Sequence, residues 1–167
     1  MTRLAGERVV LRPVEPADAP ALRAAHAAPE VRRWWGPPPD DFPFGDDPDA
    51  TRLAIEVEGA VAGLIQYQEE TDPDYRSASI DIFLHPDFHG RGLGAEAVRI
   101  LAGHLVRDRG HHRLTIDPAA ANHGAIRAYE RVGFRPVGIM RRYERDHLHG
   151  GWHDGLLMDL LAEELGG

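Results

Sequence analysis

One short segment restricts the fold more than any other. His85–Gly94, HPDFHGRGLG, lies between a strand pattern and a helix pattern. Upstream, Arg76–Leu84 alternates, with Ala78, Ile80, Ile82 and Leu84 on one face and Ser79, Asp81 and Phe83 on the other. Downstream, Leu93, Ala97, Ile100, Leu101, His104 and Leu105 recur at helical steps and make one apolar stripe. Gly90, Gly92 and Gly94 let the backbone turn so that its N–H groups converge on one spot, and the helix adds its positive N-terminal end. Together they form a cradle for a pyrophosphate, to which Arg91 can add a charge. The Lys-Ser/Thr pair of a Walker loop is missing. A dinucleotide-binding fold would put this turn after its first strand, whereas here it follows about the fourth.

The remaining pattern supplies those other strands. Arg8–Pro13 reads as the first strand, Pro16–His26 and Glu30–Trp35 as helices. Thr51–Val57 and Val61–Gln68 form a hairpin around Glu58-Gly59-Ala60. Between them Gly36–Asp49, GPPPDDFPFGDDPD, is a long loop of the kind that binds or moves. His111–Asp117 reads as a strand ended by Pro118. Asn122 can cap a helix on which Ile126 and Tyr129 share a face, and Gly133 ends it with Phe134 packing back. Phe134–Arg145 and Trp152–Leu161 close the chain as an antiparallel pair. The pattern predicts one domain over residues 1–167, of α+β (mixed α/β) class with a largely antiparallel sheet.

Composition narrows the function. Cysteine is absent, which removes disulfides, thiolate metal sites and cysteine nucleophiles together. Ten histidines occur, but none has the spacing of a zinc site, so no metal is expected. No apolar run is long enough to span a membrane and no signal peptide is read, so a cytoplasmic protein is expected. The 19 basic and 27 acidic side chains leave a net charge of −8, which repels nucleic acid and attracts a small cationic molecule. The same balance would also serve solubility alone.

Two motifs carry a resemblance. His89-Gly90-Arg91-Gly92-Leu93-Gly94 is similar to the acyl-CoA signature of the GNAT acetyltransferase superfamily, with His89 where that family has Gln or Arg. Asn122 followed by AIRAYERVGF, Ala125–Phe134, is similar to its second segment. The likeness runs from RVVLRPVEPAD to WHDGLLMDLL. It implies the GNAT fold, a twisted sheet of six to seven strands flanked by about four helices, and acetyl-CoA as acetyl donor. It further implies that amides from Gly90 through Gly94, with Arg91 and His89, hold the CoA pyrophosphate. Backbone around Phe83 and Leu84 would pair with the pantetheine arm, and Asn122 would contact the cofactor. Tyr129 resembles the tyrosine that protonates the departing thiolate; the alternative is a core tyrosine on a helix face. Such enzymes use direct attack by the amine, with no acyl-enzyme, and the resemblance allows a homodimer.

Within the superfamily the chain most resembles aminoglycoside 6'-N-acetyltransferases, on Trp34-Trp35-Gly36, Glu69-Glu70-Thr71-Asp72-Pro73, Ile80-Asp81 and Asp117-Pro118 leading to Asn122. The resemblance implies that Asp81 and Asp117 face cationic amines, with Asp81 the better base, against the alternatives of an edge carboxylate and a turn residue. Trp34 or Trp35 would wall the acceptor cleft, and His26 and Glu70 would line it. Arg141, Arg142 and Arg145 read as a solvated strand face or a contact to the CoA 3'-phosphate. An acetyltransferase for protein N-termini or metabolite amines, and a non-catalytic acyl-CoA sensor, are the rival readings.

Overall fold

The computed structural model describes residues 3–45 and 47–166. Its strands are β1 (Leu4–Ala5), β2 (Val9–Pro13), β3 (Ala50–Val57), β4 (Ala60–Glu70), β5 (Ser77–Leu84), β6 (Arg113–Ile116), β7 (Arg135–Arg145) and β8 (Trp152–Leu161). They form one sheet in the order β1-β2-β3-β4-β5-β6-β8-β7. All neighbours are antiparallel except β5 and β6. The count is eight rather than six to seven, because Leu4–Ala5 adds a two-residue strand too short to leave a periodic signal.

Four helices cover the sheet: α1 (Ala19–Ala27), α2 (Pro29–Trp35), α3 (Leu93–Gly103) and α4 (His123–Val132). The stripe of α3 and the apolar face of α4 bury the larger core, with Leu101, Leu105, Val132 and Phe134 packed on Leu11, Ile65, Ile80 and Leu114. The smaller cluster lies under α1 and α2, where Leu22 and Val31 pack on Leu64, Phe42 and Phe83. The alternation of β5 therefore divides its side chains between the two layers: Ala78, Ile80 and Leu84 join the larger core, Phe83 the smaller.

Buried charges fix the ends of several elements. Helix α1 starts later than the sequence predicts, because Pro16–Asp18 form a separate 3-10 turn. There the Asp18 carboxylate accepts from both Arg12 terminal nitrogens at 2.8 and 2.9 Å and from the Glu15 N–H at 2.7 Å. Both charges of this pair are buried, and pairing offsets their loss of water. Strand β6 is shorter than His111–Asp117, since the His111 N–H donates to the Leu105 carbonyl at 3.0 Å and not to a strand neighbour, while its ring contacts Glu69 at 2.6 Å. In the first turn of α3, Glu96 accepts from the backbone of Arg8 and Val9 and from the Arg8 side chain at 2.7–2.9 Å. A carboxylate suits that positive helix end, and it ties β2 to the glycine-rich turn.

Candidate active site

The central feature is a gap in the sheet. The parallel ladder between β5 and β6 holds only Ala78↔Leu114 and Ser79↔Thr115. Beyond it the strands part, so the edge of β5 from Asp81 to Leu84 that faces β6 has no strand partner. Such an edge offers alternating N–H and C=O groups to any extended, amide-bearing ligand. Behind it β4 approaches closely: a Cβ on Gly63 would fall onto the Phe83 carbonyl.

At the end of β5 the chain enters the glycine turn. Gly90 and Gly92 take φ of +74° and +76°, a region that favours glycine, and Gly92 is the N-cap of α3. Gly94 lies inside the first turn of the helix, where its missing side chain leaves the floor open. His89 holds this turn to the strand, its Nε2–H donating to the Leu84 carbonyl at 2.7 Å. That bond gives the histidine a defined role at the position where the GNAT signature has Gln or Arg. The open edge, the glycine turn and α4 enclose a trough of about 480 Å³, whose lining includes Phe83, Leu84, His89, Gly90, Gly92, Leu93, Gly94 and Asn122. An open edge for an amide arm and convergent N–H groups for a pyrophosphate fit CoA.

A second cavity of about 230 Å³ opens on the other side of the same gap. Its walls are Trp34 and Trp35 from α2, Asp81 from β5, Asp117 from the end of β6, and Glu144 and His147 from the β7–β8 hairpin. The two cavities share Trp34, Trp35, Ile82, Asn122, Ala125 and Tyr129, so these residues mark where they meet. Asn122 caps α4 through its Oδ1, which accepts from the Ala125 N–H at 3.3 Å, and that duty fixes it at the junction.

Electrostatics divide the titratable groups by task. Asp81 is exposed to solvent at the cleft mouth, though protein atoms crowd around its carboxyl. That burial, then the charges of Asp117 and Glu144, push its carboxyl up to about 6, while the Gln66 amide pulls it down. Tyr129 is buried, and burial followed by the Asp81 and Asp117 charges drives its phenol well above the usual range. It stays protonated at physiological pH. Tyr143 donates its O–H to Asp117 Oδ2 at 2.7 Å, and that bond, more than burial, pushes it up to about 12.

The expected residues separate into those the fold gathers and those it does not. Asp81, Asp117, Asn122, Tyr129 and both tryptophans converge on the gap. Both tryptophans reach it because α2 ends there: Trp35 meets Phe83 edge-on at 5.0 Å, while Trp34 leans on His153 at 6.1 Å. His26 lies outside both cavities. It is buried behind the cleft wall, with Trp35, Phe42 and Phe83 against its ring at 4.8–5.8 Å. Glu70 is also outside. It shares a sheet face with Asp81, but Gln66 is the residue opposite Asp81, so Glu70 stands four residues, about 13 Å, further along β4. Arg91 does not line the trough; its guanidinium rests 5.7 Å from the Phe88 ring centre, and its carbonyl accepts from Arg8. Arg141, Arg142 and Arg145 likewise stay away from the trough, the last over Trp152.

Sequence reasoning missed Tyr143, Glu144 and His147 on the acceptor side, and Arg127 and Arg131, which line the trough from α4. Arg127 and Arg131 sit four residues apart and could have been found from helical spacing alone. The hairpin residues had no such signal.

Comparison with known proteins agrees with this geometry. The family model for the acetyltransferase (GNAT) domain matches residues 8–135. The spermidine N(1)-acetyltransferase of Escherichia coli (strain K12) is 28% identical over 169 residues, covering 93% of this chain and 87% of its own. The aminoglycoside N(6')-acetyltransferase type 1 of Klebsiella pneumoniae is 36% identical over 74 residues, 44% of this chain and 36% of its own. The chain spans less than half the length of several curated relatives that it matches. The solved structure of Mycobacterium smegmatis RimJ in complex with CoA-disulfide superposes with a TM-score of 0.79 at 24% identity, covering 95% of this chain and 84% of that one. The matched span is more than three quarters of the sequence and includes the glycine turn, the parted strands and α4, and the chain belongs to the GNAT acetyltransferase family.

Proposed function

We propose that this protein moves the acetyl group of acetyl-CoA onto an amine of a small, cationic, aminoglycoside-like acceptor by direct attack. One observation carries the reading: two cavities, one with a glycine cradle and one with carboxylates, meet at Tyr129. Acetyl-CoA supplies a thioester carbonyl and a thiolate leaving group. Asp81, its carboxyl raised to about 6, takes one proton from the incoming ammonium, directly or through water, and releases it to solvent. The neutral nitrogen then forms the new C–N bond. Backbone N–H groups on the open edge of β5 stabilise the charge that develops on the carbonyl oxygen. Tyr129 gives its proton to sulfur as the C–S bond breaks, and regains one from the acylated nitrogen. One proton is released per acetyl group moved.

The acceptor class is supported by three carboxylates, Asp81, Asp117 and Glu144, in a cavity lined by no arginine. The likeness to the Klebsiella aminoglycoside enzyme supports it too, while the longer alignment to the spermidine enzyme favours a linear polyamine as the second reading. The test is thiol release from acetyl-CoA with a panel of aminoglycosides, spermidine and peptides with free N-termini. Saturable release with kanamycin-like compounds is expected. Release with peptides alone would overturn the acceptor class, and none with any amine, with acetyl-CoA still bound, would favour a sensor.

A further inference from the structure

The acceptor cavity contains a carboxylate that the proposed chemistry does not use. Glu144 lies on β7 opposite His153 of β8, and His153 Nε2–H donates to Glu144 Oε1 at 2.9 Å. The histidine is itself held: its side chain is 15% exposed, its ring is edge-on to Trp34, and its Nδ1 is 4.0 Å from Asp146. One oxygen of Glu144 is thus fixed by a partly buried neighbour and the other is left for a ligand.

The backbone is built to bring this residue in. Neighbouring residues on a regular strand point to opposite faces, yet Tyr143 reaches Asp117 and Glu144 lines the same cavity. An irregularity between Met140 and Glu144 permits it: four residues of β7 span what two residues of β8 span, and Arg142 takes φ of +49°. Asp117 and Glu144 each have one oxygen held, by Tyr143 and by His153, and of the two Glu144 is the one that the β7 irregularity brings into the cavity. A monoamine bound at Asp81 would leave it uncompensated as water is displaced, whereas a second ammonium would pair with it.

Resting on the transferase reading, we infer that Glu144, positioned by His153, is a subsite for a second ammonium group, so that the acceptor is a di- or polyamine rather than a single amine. The β7 irregularity is the device that sets this specificity.

The test uses the CoA-saturated protein. Calorimetry compares diaminopropane, putrescine and cadaverine with propylamine, butylamine and pentylamine. The best diamine should bind about tenfold more tightly than the monoamine of equal length, as expected for one added charge pair. Glu144→Gln should bring that ratio close to one, and in turnover the loss should fall in KM for the diamine. His153→Phe should lower the ratio as well, and His153→Gln, which keeps an N–H donor, should restore most of it. An unchanged ratio in Glu144→Gln overturns the inference, as does equal binding of diamines and monoamines by the native chain. A Glu144-dependent preference without thiol release would leave this subsite standing and remove the transferase reading. Thiol release with equal kcat/KM for both series would do the reverse.

Discussion

At the residue scale, Tyr129 and Asp81 line one cavity and have opposite proton tasks in the proposed reaction, and loss of water around each shifts both in the direction that reaction needs. Burial disfavours charge, so it keeps the Tyr129 phenol protonated and makes the Asp81 carboxylate more basic. Tyr129→Phe keeps the shape and removes the acid. It should lower kcat about 10²- to 10³-fold with little change in CoA affinity, measured by single-turnover kinetics and equilibrium titration. Asp81 must be ionised to accept a proton, so kcat/KM should fall tenfold per pH unit below about 6, its carboxyl's position. The groups facing Asp81 give the sign of a second test. Asp117 and Glu144 raise it, so Glu144→Gln should move the acid limb toward lower pH. A limb that stays fixed in that variant, or survives in Asp81→Asn, would assign the base to another group.

At the scale of elements, the site is a product of three irregularities: the parted β5–β6 ladder, the glycine turn and the displaced register of β7. Only the second was legible in the sequence. Glycines that must adopt positive φ are chemically marked, as Gly90 and Gly92 are, and α4 carried both its cap residue Asn122 and its ending at Gly133–Phe134. The gap left no periodic signal, because Asp81–Leu84 alternates like any paired strand; the family resemblance implied only that backbone around Phe83 and Leu84 pairs with the pantetheine arm. The β7 irregularity was hidden: Arg141, Arg142 and Tyr143 are ordinary strand residues, and what admits them is a space on the neighbouring strand. Gly155 provides that space, since a Cβ there would lie 3.0 Å from Tyr143 Cδ2 and 3.2 Å from Met140 Cε. Gly155→Val should therefore push Tyr143 off Asp117 and raise acceptor KM several-fold, leaving CoA affinity at the native value. Calorimetry of CoA against steady-state kinetics of the acceptor separates the two, and equal losses on both would mean that the hairpin supports the whole gap. His26 and Glu70 fall outside both cavities for a related reason. Sequence position placed them near the right elements, but which layer a histidine enters and how far along a strand a carboxylate sits are set by tertiary packing.

For the whole molecule, the site makes a demand on stability that pH exposes. Burial holds His26 below its ordinary value near 6.5, and its Nδ1 has no hydrogen-bond partner. The folded state therefore resists protonation there, while the unfolded chain takes the proton. Its contribution to stability is complete above about 6.5 and is lost as pH falls through that value toward its lower folded position. Asp81 acts in the opposite direction. Its carboxyl rises from 3.8 to about 6 on folding, so the folded state is penalised at neutral pH and relieved as pH falls through 6. Two linkages of opposite sign thus overlap as pH falls below about 6, one in the core beneath the cleft wall and one in the cleft, and partly cancel in the native melting curve. Separate substitutions should reveal each. His26→Phe, a ring of similar size among Trp35, Phe42 and Phe83, should flatten the loss of Tm between pH 7 and 5. Asp81→Asn should raise Tm at pH 7.5 by about 2–4 °C, the shift that roughly 1 kcal/mol makes in a chain of this size once solvent in the cleft has screened the charge. That gain should shrink toward pH 5, where the native carboxyl is already protonated. If Asp81→Asn instead lowers Tm at pH 7.5, the carboxylate is a structural anchor held by Gln66 and the cleft carries no stored electrostatic strain for a cationic acceptor to relieve.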